Sequence, residues 1–259
     1  MFTDIHGHYA WDVDDGIATI EDARAALENA IAQNIDTIVA TPHFTSGFLT
    51  SDQKAKIKKR IDELKQLGQQ LGITVYEGSE LMLNHSSDEA IDQGLYLPFE
   101  NTRYLLCESN VLKTTDYFID HFEDYLRSVM IAGYTPIIAH VERYFHEEVD
   151  LDYVQFLIDL GCVIQINTTN VLGIANKSHH KNAITLLDHN MVHCVATDTH
   201  RKDGLRCPNM QDTYDYMVKH GFGKEYALLV LRDNPKRLLH NETVVNPNFK
   251  RSFFSKLFR

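Results

Sequence analysis

The sequence has no run of apolar residues long enough to cross a membrane, and its N-terminus has no basic region followed by an apolar core. A membrane helix needs about 20 consecutive, mostly apolar residues. A secretory signal needs both of the N-terminal features that are missing. We therefore expect a cytoplasmic protein.

Basic residues are in the minority in this chain. Its 259 residues include 25 Lys and Arg against 36 Asp and Glu, which gives a formal net charge of −11. Proteins that bind nucleic acid usually present a basic face. The charge balance therefore argues against DNA or RNA as a partner.

Cysteine is scarce, and the four cysteines (Cys107, Cys162, Cys194 and Cys207) form no CxxC pair. Three of them lie in or beside apolar, strand-like runs, where Cys usually acts as a small buried hydrophobe. We expect four reduced thiols. A cysteine-dependent phosphatase also needs an Arg about six residues after its thiolate. The residues at that spacing are Lys113, Thr168, His200 and Thr213, so this chemistry is disfavoured.

Short β-type runs alternate with helical patterns along most of the chain. Each strand followed by a helix is typical of parallel βα units. We predict an α/β fold in which about seven strands form a distorted, TIM-like barrel, with an open doubly wound sheet as the alternative. One domain would cover residues 1–245, followed by a tail over 246–259. The predicted strands are Phe2–His6, Asp36–Thr41, Ile73–Glu80, Tyr104–Glu108, Pro136–His140, Cys162–Asn167 and Val192–Asp198. The predicted helices cover 20–34, 52–71, 116–132, 150–160, 178–190 and 208–220.

Titratable side chains recur where the predicted strands end. The active site of a barrel lies at the carboxyl ends of its strands. A single His at a strand end is usually a satisfied structural group, but six of the seven predicted strands end in His, Asp or Glu. The sixth strand ends in Asn167 instead, and Asp14 follows in the first loop. The candidate ligands are His6, His8, Asp14, His43, Glu80, Glu108, His140, Asp198 and His200.

Such a convergence of carboxylates and imidazoles in a core would be costly without a compensating positive charge. Divalent metal ions supply that charge. Nine ligands exceed the needs of one ion and suit two or three, and a set without thiolates fits Mn²⁺, Fe or Zn²⁺ alike. Clustered metal ions commonly serve the hydrolysis of phosphoester or amide bonds.

The candidate ligands lie in motifs that follow one another along about residues 1 to 240. The motifs are His6-Gly-His8, Asp12-Val-Asp14-Asp15-Gly16, Ala40-Thr41-Pro42-His43, Gly78-Ser79-Glu80, Glu108, Ala139-His140-Val141-Glu142-Arg143-Tyr144 and Ala196-Thr197-Asp198-Thr199-His200. In this order they resemble the polymerase-and-histidinol-phosphatase (PHP) superfamily. They look closest to its bacterial tyrosine-protein phosphatase branch, which acts in the regulation of capsule and exopolysaccharide synthesis. Some PHP relatives have His where this chain has Asp14 and Glu108, and the carboxylates favour the phosphotyrosine branch.

The resemblance implies three divalent metal ions, with Mn²⁺ as the expected metal and Fe or Zn²⁺ as alternatives. His6, His8, Glu80 and Asp198 would hold the first ion. Glu80 would bridge to the second, which Glu108 and His140 would also hold. Asp14, His43 and His200 would hold the third.

Arg143 and Arg206 match the phosphate-binding arginines of the family. A guanidinium can contact two phosphate oxygens at once. The alternative for each arginine is an ion pair with a nearby carboxylate, and Arg201 is a weaker third candidate. His43 or Asp198 could move a proton during the reaction.

The resemblance thus implies a metal-dependent protein-tyrosine phosphatase that acts on a phosphotyrosine protein, such as a bacterial tyrosine kinase. One alternative is a PHP phosphatase for a small molecule such as histidinol phosphate. Another is a metal-binding regulatory module without catalysis.

The last segment of the chain, residues 248–259, differs from the rest. It contains Lys250, Arg251, Lys256 and Arg259, no acidic residue and four phenylalanines. Mixed basic and aromatic residues suit an anionic membrane surface. A peripheral contact with the inner face of the membrane is one interpretation. The other is a tail that packs on its own barrel or on a neighbouring subunit.

Overall fold

The structure is a computed structural model, and it describes residues 1–249. The basic and aromatic residues from Lys250 to Arg259 therefore lie outside the described residues. None of the described helices is long and apolar enough to cross a membrane.

Nine short strands form two parallel sheets. The first sheet has the order β1-β2-β4 and the second has the order β3-β5-β6-β7-β8-β9. The strands are β1 (Phe2–Asp4), β2 (Ile35–Ala40), β3 (His43–Thr45), β4 (Thr74–Glu77), β5 (Glu80–Met82), β6 (Tyr104–Glu108), β7 (Thr135–Ile138), β8 (Val163–Asn167) and β9 (Cys194–Ala196). Every strand pair in both sheets is parallel, which confirms the prediction of parallel βα units.

The structure differs from the seven predicted strands in two places. β3 is an additional strand beyond the predicted strand Asp36–Thr41, and the predicted strand Ile73–Glu80 is divided between β4 and the first residue of β5. Thr41 and Pro42 separate β2 from β3, and Gly78 and Ser79 separate β4 from β5. Proline has no N–H to donate to a ladder. At Gly78 a Cβ atom would lie 2.8 Å from the Val39 side chain. The chain therefore moves from one sheet to the other at both places.

Hydrogen bonds still link the two sheets near these interruptions. The amide of Thr41 donates to the carbonyl of Gly7, and that of Glu80 donates to the carbonyl of Pro42. A parallel bridge joins Gly7 to Thr199, beyond the ends of β1 and β9. The segments that carry the predicted ligands are thus held side by side.

The helices pack around the sheets and confirm all six predicted helical segments. They are α1 (Ile20–Ala32), α2 (Ser51–Leu71), α3 (Ser87–Asp92), α4 (Thr115–Ile131), α5 (Leu151–Asp159), α6 (Thr168–Val171), α7 (Lys177–Asp188), α8 (Met210–Lys219), α9 (Lys224–Leu228) and α10 (Asn234–Leu239). The short helices α3, α6, α9 and α10 were not predicted. One turn of 3₁₀ helix (Val141–Arg143) and one of π helix (Leu229–Asp233) complete the set.

Two helices show how the sequence specifies these elements. The Thr19 side chain caps α1 by accepting a hydrogen bond from the amide of Asp22. Thr50 and Gln53 form a reciprocal capping box at the start of α2. The apolar stripe of α2, from Ile57 to Leu67, is buried against the sheets. Caps and stripes of this kind are local signals, so the sequence reveals them.

Candidate metal centre

Side chains from the ends of several strands converge on one buried region. Glu108 ends β6 and His140 lies two residues beyond β7. Glu80 was predicted to end a strand, but it begins β5. His6 and His8 follow β1, and Asp198 and His200 follow β9. All seven residues are buried, whereas His43, at the start of β3, retains 29% exposure of its side chain.

Glu80 lies at the middle of this cluster. Its Oε2 atom is 3.2 Å from Nε2 of His6, from Nε2 of His8 and from Nδ1 of His43. Its other oxygen, Oε1, lies 2.9 Å from Nε2 of His140. One carboxylate therefore contacts four imidazoles, as the bridging ligand of a metal cluster would.

Asp198 forms the second centre of the cluster. Its Oδ1 atom lies 3.5 Å from Nε2 of His6, 3.6 Å from Nε2 of His8 and 3.3 Å from Nδ1 of His200. The backbone φ angles of Asp198 and His140 are 52° and 34°. Non-glycine residues rarely adopt such positive values, and strained positions of this kind concentrate at functional sites.

Four groups of three or four side chains each bring their ligand atoms within 4.8 Å of one another. The groups share members, with His6, His8, His43 and Glu80 each appearing twice. A cluster of several ions with bridging ligands needs this kind of overlap. The groups are His6, His8 and Glu80; His6, His140 and Asp198; His43, Glu80 and Glu108; and His8, Asp15, His43 and His200.

Asp15, which was not among the predicted ligands, joins the fourth group. Its Oδ1 atom lies 3.4 Å from Nε2 of both His43 and His200. The predicted ligand Asp14 lies behind His8 instead, with Oδ2 2.7 Å from Nδ1 of that ring. Asp14 also accepts hydrogen bonds from the amides of His43 and Gly16. Metal-binding histidines commonly hold such a carboxylate on their outer nitrogen.

Several buried ligand atoms have no hydrogen-bond partner among the described residues. Burying a polar atom without a partner is costly. Of twelve such side-chain atoms among the described residues, seven belong to the converging side chains. The residues therefore fit divalent metal ions. The atoms are Nε2 of His6, His8 and His200, Nδ1 of His43 and His140, Oε2 of Glu80 and Oε1 of Glu108.

The electrostatics of the cluster agree with this fit. Burial disfavours a charge on His6, but Glu80 and Asp198 outweigh it and raise the pKa of His6 to about 9. Burial also opposes a charge on His43, yet Glu80, Asp15 and Glu108 raise the pKa of His43 to about 12. The carboxylates therefore favour positive charge at these two rings. Divalent metal ions would supply such charge.

Two neutral side chains orient the ligands, and neither was predicted from the sequence. Oε1 of Gln165 lies 3.0 Å from Nδ1 of His6 and accepts a hydrogen bond from the amide of His140. Nδ2 of Asn167 donates to Oδ2 of Asp198 over 2.8 Å. Both residues lie in β8, the strand that ends without a titratable residue. The alternation of side chains along β8 was the available signal.

Glu142 is a buried carboxylate next to the cluster and was not predicted either. Its Oε1 atom accepts hydrogen bonds from the amide of Asn167 and from Nδ2 of Asn170. Burial raises the pKa of Glu142 to about 7. The residue ties the loop after β7 to the end of β8 and so positions Arg143.

Arg143 and Arg206 both contact Asp198 from the open side of the cluster. The Nη2 atom of Arg206 lies 2.8 Å from Oδ1 of Asp198, and the Nη1 atom of Arg143 lies 3.4 Å from Oδ2. Both guanidinium groups keep partial exposure to solvent. Arg201 is engaged differently, because its Nη1 atom donates to the carbonyls of Asp15, Gly16 and His200.

All four cysteines are free, as predicted. Cys107, Cys162 and Cys194 are buried, and burial raises the pKa of each thiol. A thiolate nucleophile is therefore unfavourable at these three positions.

Similarity to solved structures identifies the class of fold. A chain from the crystal structures of YwqE of Bacillus subtilis and CpsB of Streptococcus pneumoniae, described as metal-dependent tyrosine phosphatases, superimposes with a TM-score of 0.74 at 24% identity. The match covers 96% of this chain and 99% of that one. An Escherichia coli phosphotriesterase homology protein with phosphate in its active site matches with a TM-score of 0.54 at 14% identity, over 92% and 98% of the chains. The chain thus has an α/β fold similar to that of TIM-barrel-like hydrolases.

Sequence similarity then identifies the family. The model of the family "Capsular polysaccharide synthesis, CpsB/CapC" matches residues 2–240. Tyrosine-protein phosphatase CpsB of Streptococcus pneumoniae is 31% identical over 248 residues, which cover 93% of this chain and 99% of that protein. Tyrosine-protein phosphatase YwqE of Bacillus subtilis is 27% identical over 243 residues, or 93% and 92% of the two chains. This chain belongs to the CpsB/CapC family, which confirms the resemblance to the phosphatase branch.

Proposed function

We propose that this protein is a metal-dependent protein-tyrosine phosphatase. The observation that carries the proposal is the convergence of buried His, Asp and Glu atoms without hydrogen-bond partners, with Arg143 and Arg206 beside them. Metal ligands next to exposed guanidinium groups suit a phosphate ester. The names of the relatives support phosphotyrosine as the substrate.

We propose that three divalent ions bind here, with Mn²⁺ preferred over Fe or Zn²⁺. The ligands would be grouped as the family resemblance implies, with Glu80 as the bridge between two ions. The overlapping ligand groups support more than one ion. The position of Asp15 adds it as a ligand beside His43 and His200, while Asp14 orients His8. When bound, such ions activate water and stabilise negative charge on phosphate oxygens.

The arginines would bind the phosphoryl group of the substrate. Each guanidinium can donate two parallel hydrogen bonds to phosphate oxygens. Arg206 and Arg143 would neutralise charge that develops on those oxygens during transfer. Their contacts with Asp198 hold both groups near the cluster before the substrate arrives.

The leaving group needs little help from an acid. The phenol of tyrosine has a pKa of about 10, so phenolate leaves far more readily than an alkoxide. A proton could still be moved by His43 or Asp198. Partial exposure favours His43, whereas Asp198 is already bound by Asn167 and two arginines.

The fold that carries this site would be a distorted barrel of seven parallel strands in one domain over residues 1–245. In this arrangement, β2 with β3 and β4 with β5 each count as one interrupted strand. The bridge between Gly7 and Thr199 supports a connection between the first and last strands.

The partner would be a phosphotyrosine protein of capsule or exopolysaccharide synthesis, in the cytoplasm, with a bacterial tyrosine kinase as our specific candidate. The description of the family supports a role in capsular polysaccharide synthesis.

A two-substrate assay tests the activity. We expect the Mn²⁺-loaded protein to hydrolyse a phosphotyrosine peptide much faster than histidinol phosphate, and a chelator to stop the reaction. His140→Ala should abolish turnover because it removes a ligand that contacts Glu80. Faster hydrolysis of histidinol phosphate would favour a small-molecule phosphatase. Unchanged turnover by His140→Ala, or no turnover by the loaded wild type, would contradict the proposal.

We also propose a peripheral contact between the C-terminal tail and an anionic membrane. The described part of the tail packs on the protein, because Asn190 exchanges two hydrogen bonds with the backbone of Phe249. The Phe249 ring stacks on Tyr226. A truncation for the test should therefore keep Phe249 and remove residues 250–259.

Co-sedimentation with vesicles that contain anionic lipid would compare the full chain, the truncated chain and a variant with Ser at Lys250, Arg251, Lys256 and Arg259. We expect only the full chain to bind. Equal binding by all three proteins would remove the tail from this role.

A further inference from the structure

A small cavity of about 150 Å³ lies on one side of Asp198. Both proposed phosphate-binding arginines, Arg143 and Arg206, line it together with Asp198. The side chains of His179 and Leu205 line the same cavity. A phosphoryl group held by the arginines would thus have space beside it for the rest of the ester.

A second cavity, of about 480 Å³, borders the cluster at His200. Its lining is acidic on balance, because four aspartates outnumber the cations Arg201 and Lys202. The aspartates are Asp14, Asp15, Asp22 and Asp203. The guanidinium of Arg201, which also lines it, already donates to three backbone carbonyls. A phosphate ester is anionic, so the charge favours the cavity with Arg143 and Arg206.

His179 lies in the first turn of α7, and its ring has no hydrogen bond among the described residues. Burial, Arg143 and His146 lower the pKa of His179, which favours the neutral form of the ring. A neutral imidazole offers a flat face to another aromatic ring. The ring is free to contact a ligand because no described residue holds it.

Leu205 directly precedes Arg206 and leaves 53% of its surface exposed. An exposed Leu alone is ordinary on a protein surface. This one lines a cavity whose other members include a metal-ligand candidate and two cationic groups. An apolar contact at that place suits the uncharged part of a phosphate ester.

We propose that His179 and Leu205 contact the tyrosyl ring of the substrate and determine the preference for aryl phosphate esters. This inference rests on the proposed phosphatase function, because it assigns the part of the same site that receives the leaving group. An offset or edge contact with the ring of His179, and apolar surface buried against Leu205, would each strengthen binding of an aryl group about fivefold.

Calorimetric titration of the Mn²⁺-loaded full chain tests the assignment. Inorganic phosphate reports the arginines and the metal ions, and phenylphosphonate reports the same groups together with the ring site. We expect His179→Ala and Leu205→Ala each to weaken phenylphosphonate binding about fivefold and to change phosphate binding less than about twofold. His179→Phe should restore the affinity for phenylphosphonate because it restores a flat ring. Asp203→Ala, in the acidic cavity, serves as the matched control and should bind both ligands like the wild type.

His179→Ala and Leu205→Ala should also raise the KM for a phosphotyrosine peptide with little change in kcat, whereas Asp203→Ala should leave both constants unchanged. Equal loss of affinity for phosphate and phenylphosphonate, or no loss for either, would overturn the assignment of the ring site. If the wild type binds phenylphosphonate no better than phosphate, the assignment also fails. If it binds both ligands as expected but hydrolyses no phosphotyrosine peptide, the proposed function fails and the aryl-binding site stands.

Discussion

In three histidines of the cluster, one ring nitrogen contacts a protein group that fixes the ring, and the other nitrogen points toward the proposed metal site. Nδ1 of His6 faces Gln165, and Nδ1 of His8 faces Asp14. Nδ1 of His200 faces the carbonyl of Asp198. In all three rings, Nε2 faces the cluster and lacks a hydrogen bond within residues 1–249. A ring held at one nitrogen cannot rotate freely, so the other nitrogen keeps its direction toward a metal ion.

Replacing Arg206 by Lys tests the phosphate-binding role. Lys keeps the positive charge but loses the planar pair of donors. We expect kcat/KM for a phosphotyrosine peptide to fall by about 10- to 100-fold, which corresponds to one lost charge-assisted hydrogen bond. Metal content, measured by mass spectrometry, should stay unchanged because Arg206 is not a ligand. An equal kcat/KM for both proteins would leave Arg206 as a partner of Asp198 only.

His193 gives a prediction for pH that is independent of the metal cluster. Its Nδ1 accepts a hydrogen bond from the amide of Ile164, and its Nε2 lies 2.9 Å from Oδ1 of Asn246. Protonation would remove the acceptor, and burial lowers the pKa of His193 below its usual 6.5. The unfolded chain therefore binds a proton first, and stability is lost as the pH falls below about 6.5.

The measurement is the free energy of unfolding of chelator-treated protein at pH 7.5 and pH 5.5. The contribution from His193 should be up to about 1.4 kcal/mol between these pH values. His193→Gln can keep both hydrogen bonds without titrating, so its loss of stability should be smaller by that amount. The same pH dependence in both proteins would contradict the assignment of a neutral His193.

At the scale of elements, the segments that follow β1 and β9 each contain two ligand candidates. Asp4, the last residue of β1, joins these two segments. The Asp4 carboxylate accepts hydrogen bonds from the amide and the hydroxyl of Thr197 and from the hydroxyl of Tyr9. Thr197 directly precedes Asp198, and Asp4 lies two residues before His6. These bonds set the distance between the two ligand pairs. Asp4 was not predicted from the sequence, because the bonds join residues 193 positions apart.

Asp4→Asn should therefore weaken metal binding. The amide keeps the size of the side chain but has one acceptor oxygen instead of two. We expect about a tenfold loss of Mn²⁺ affinity, as for other groups that orient metal ligands. Asp36→Asn in β2, whose carboxylate contacts only the neighbouring Thr37 among the described residues, is the control. If both variants bound Mn²⁺ like the wild type, β1 and β9 would not need Asp4 for their spacing.

At the scale of the whole molecule, the cluster joins segments from nearly the full length of the chain. His6 and His200 contribute to the same site, as do Glu80, Glu108 and His140 between them. Binding of ions to the native state alone shifts folding by mass action. Metal binding should therefore raise the free energy of unfolding of the whole domain, because the ligands come from strands throughout the chain.

Thermal unfolding with and without Mn²⁺ measures this effect. At about 100 times the dissociation constant, one ion should add about 2.7 kcal/mol, which raises the Tm by about 5–10 °C for a chain of this size. The increase should depend on Mn²⁺ concentration and should be smaller in His8→Ala, which removes one ligand of the proposed first ion. A Tm that does not respond to Mn²⁺ would exclude a metal centre that stabilises the native fold.

The sequence alone determined the types of ligand, their position at strand ends and the main helices. These are local properties: a stripe such as Ile57–Leu67 or a cap such as Thr19 needs only near neighbours in the chain. The motifs also identified the family, and the match over residues 2–240 confirms it. The positions of nearly all candidate ligands could therefore be predicted from the order of residues in the chain.

Only the tertiary structure decided which of those residues face the metal site and which ones orient the ligands. Asp14 and Asp15 are adjacent, so no pattern could tell which carboxylate faces His200 and which one supports His8. Gln165 and Asn167 contact ligands from other segments, and Glu142 accepts hydrogen bonds from Asn167 and Asn170. These roles appear only when the strands are packed together. The breaks between β2 and β3 and between β4 and β5 likewise depend on packing at Pro42 and Gly78. Contacts between distant segments are set by the fold as a whole, and this is why the local sequence did not predict them.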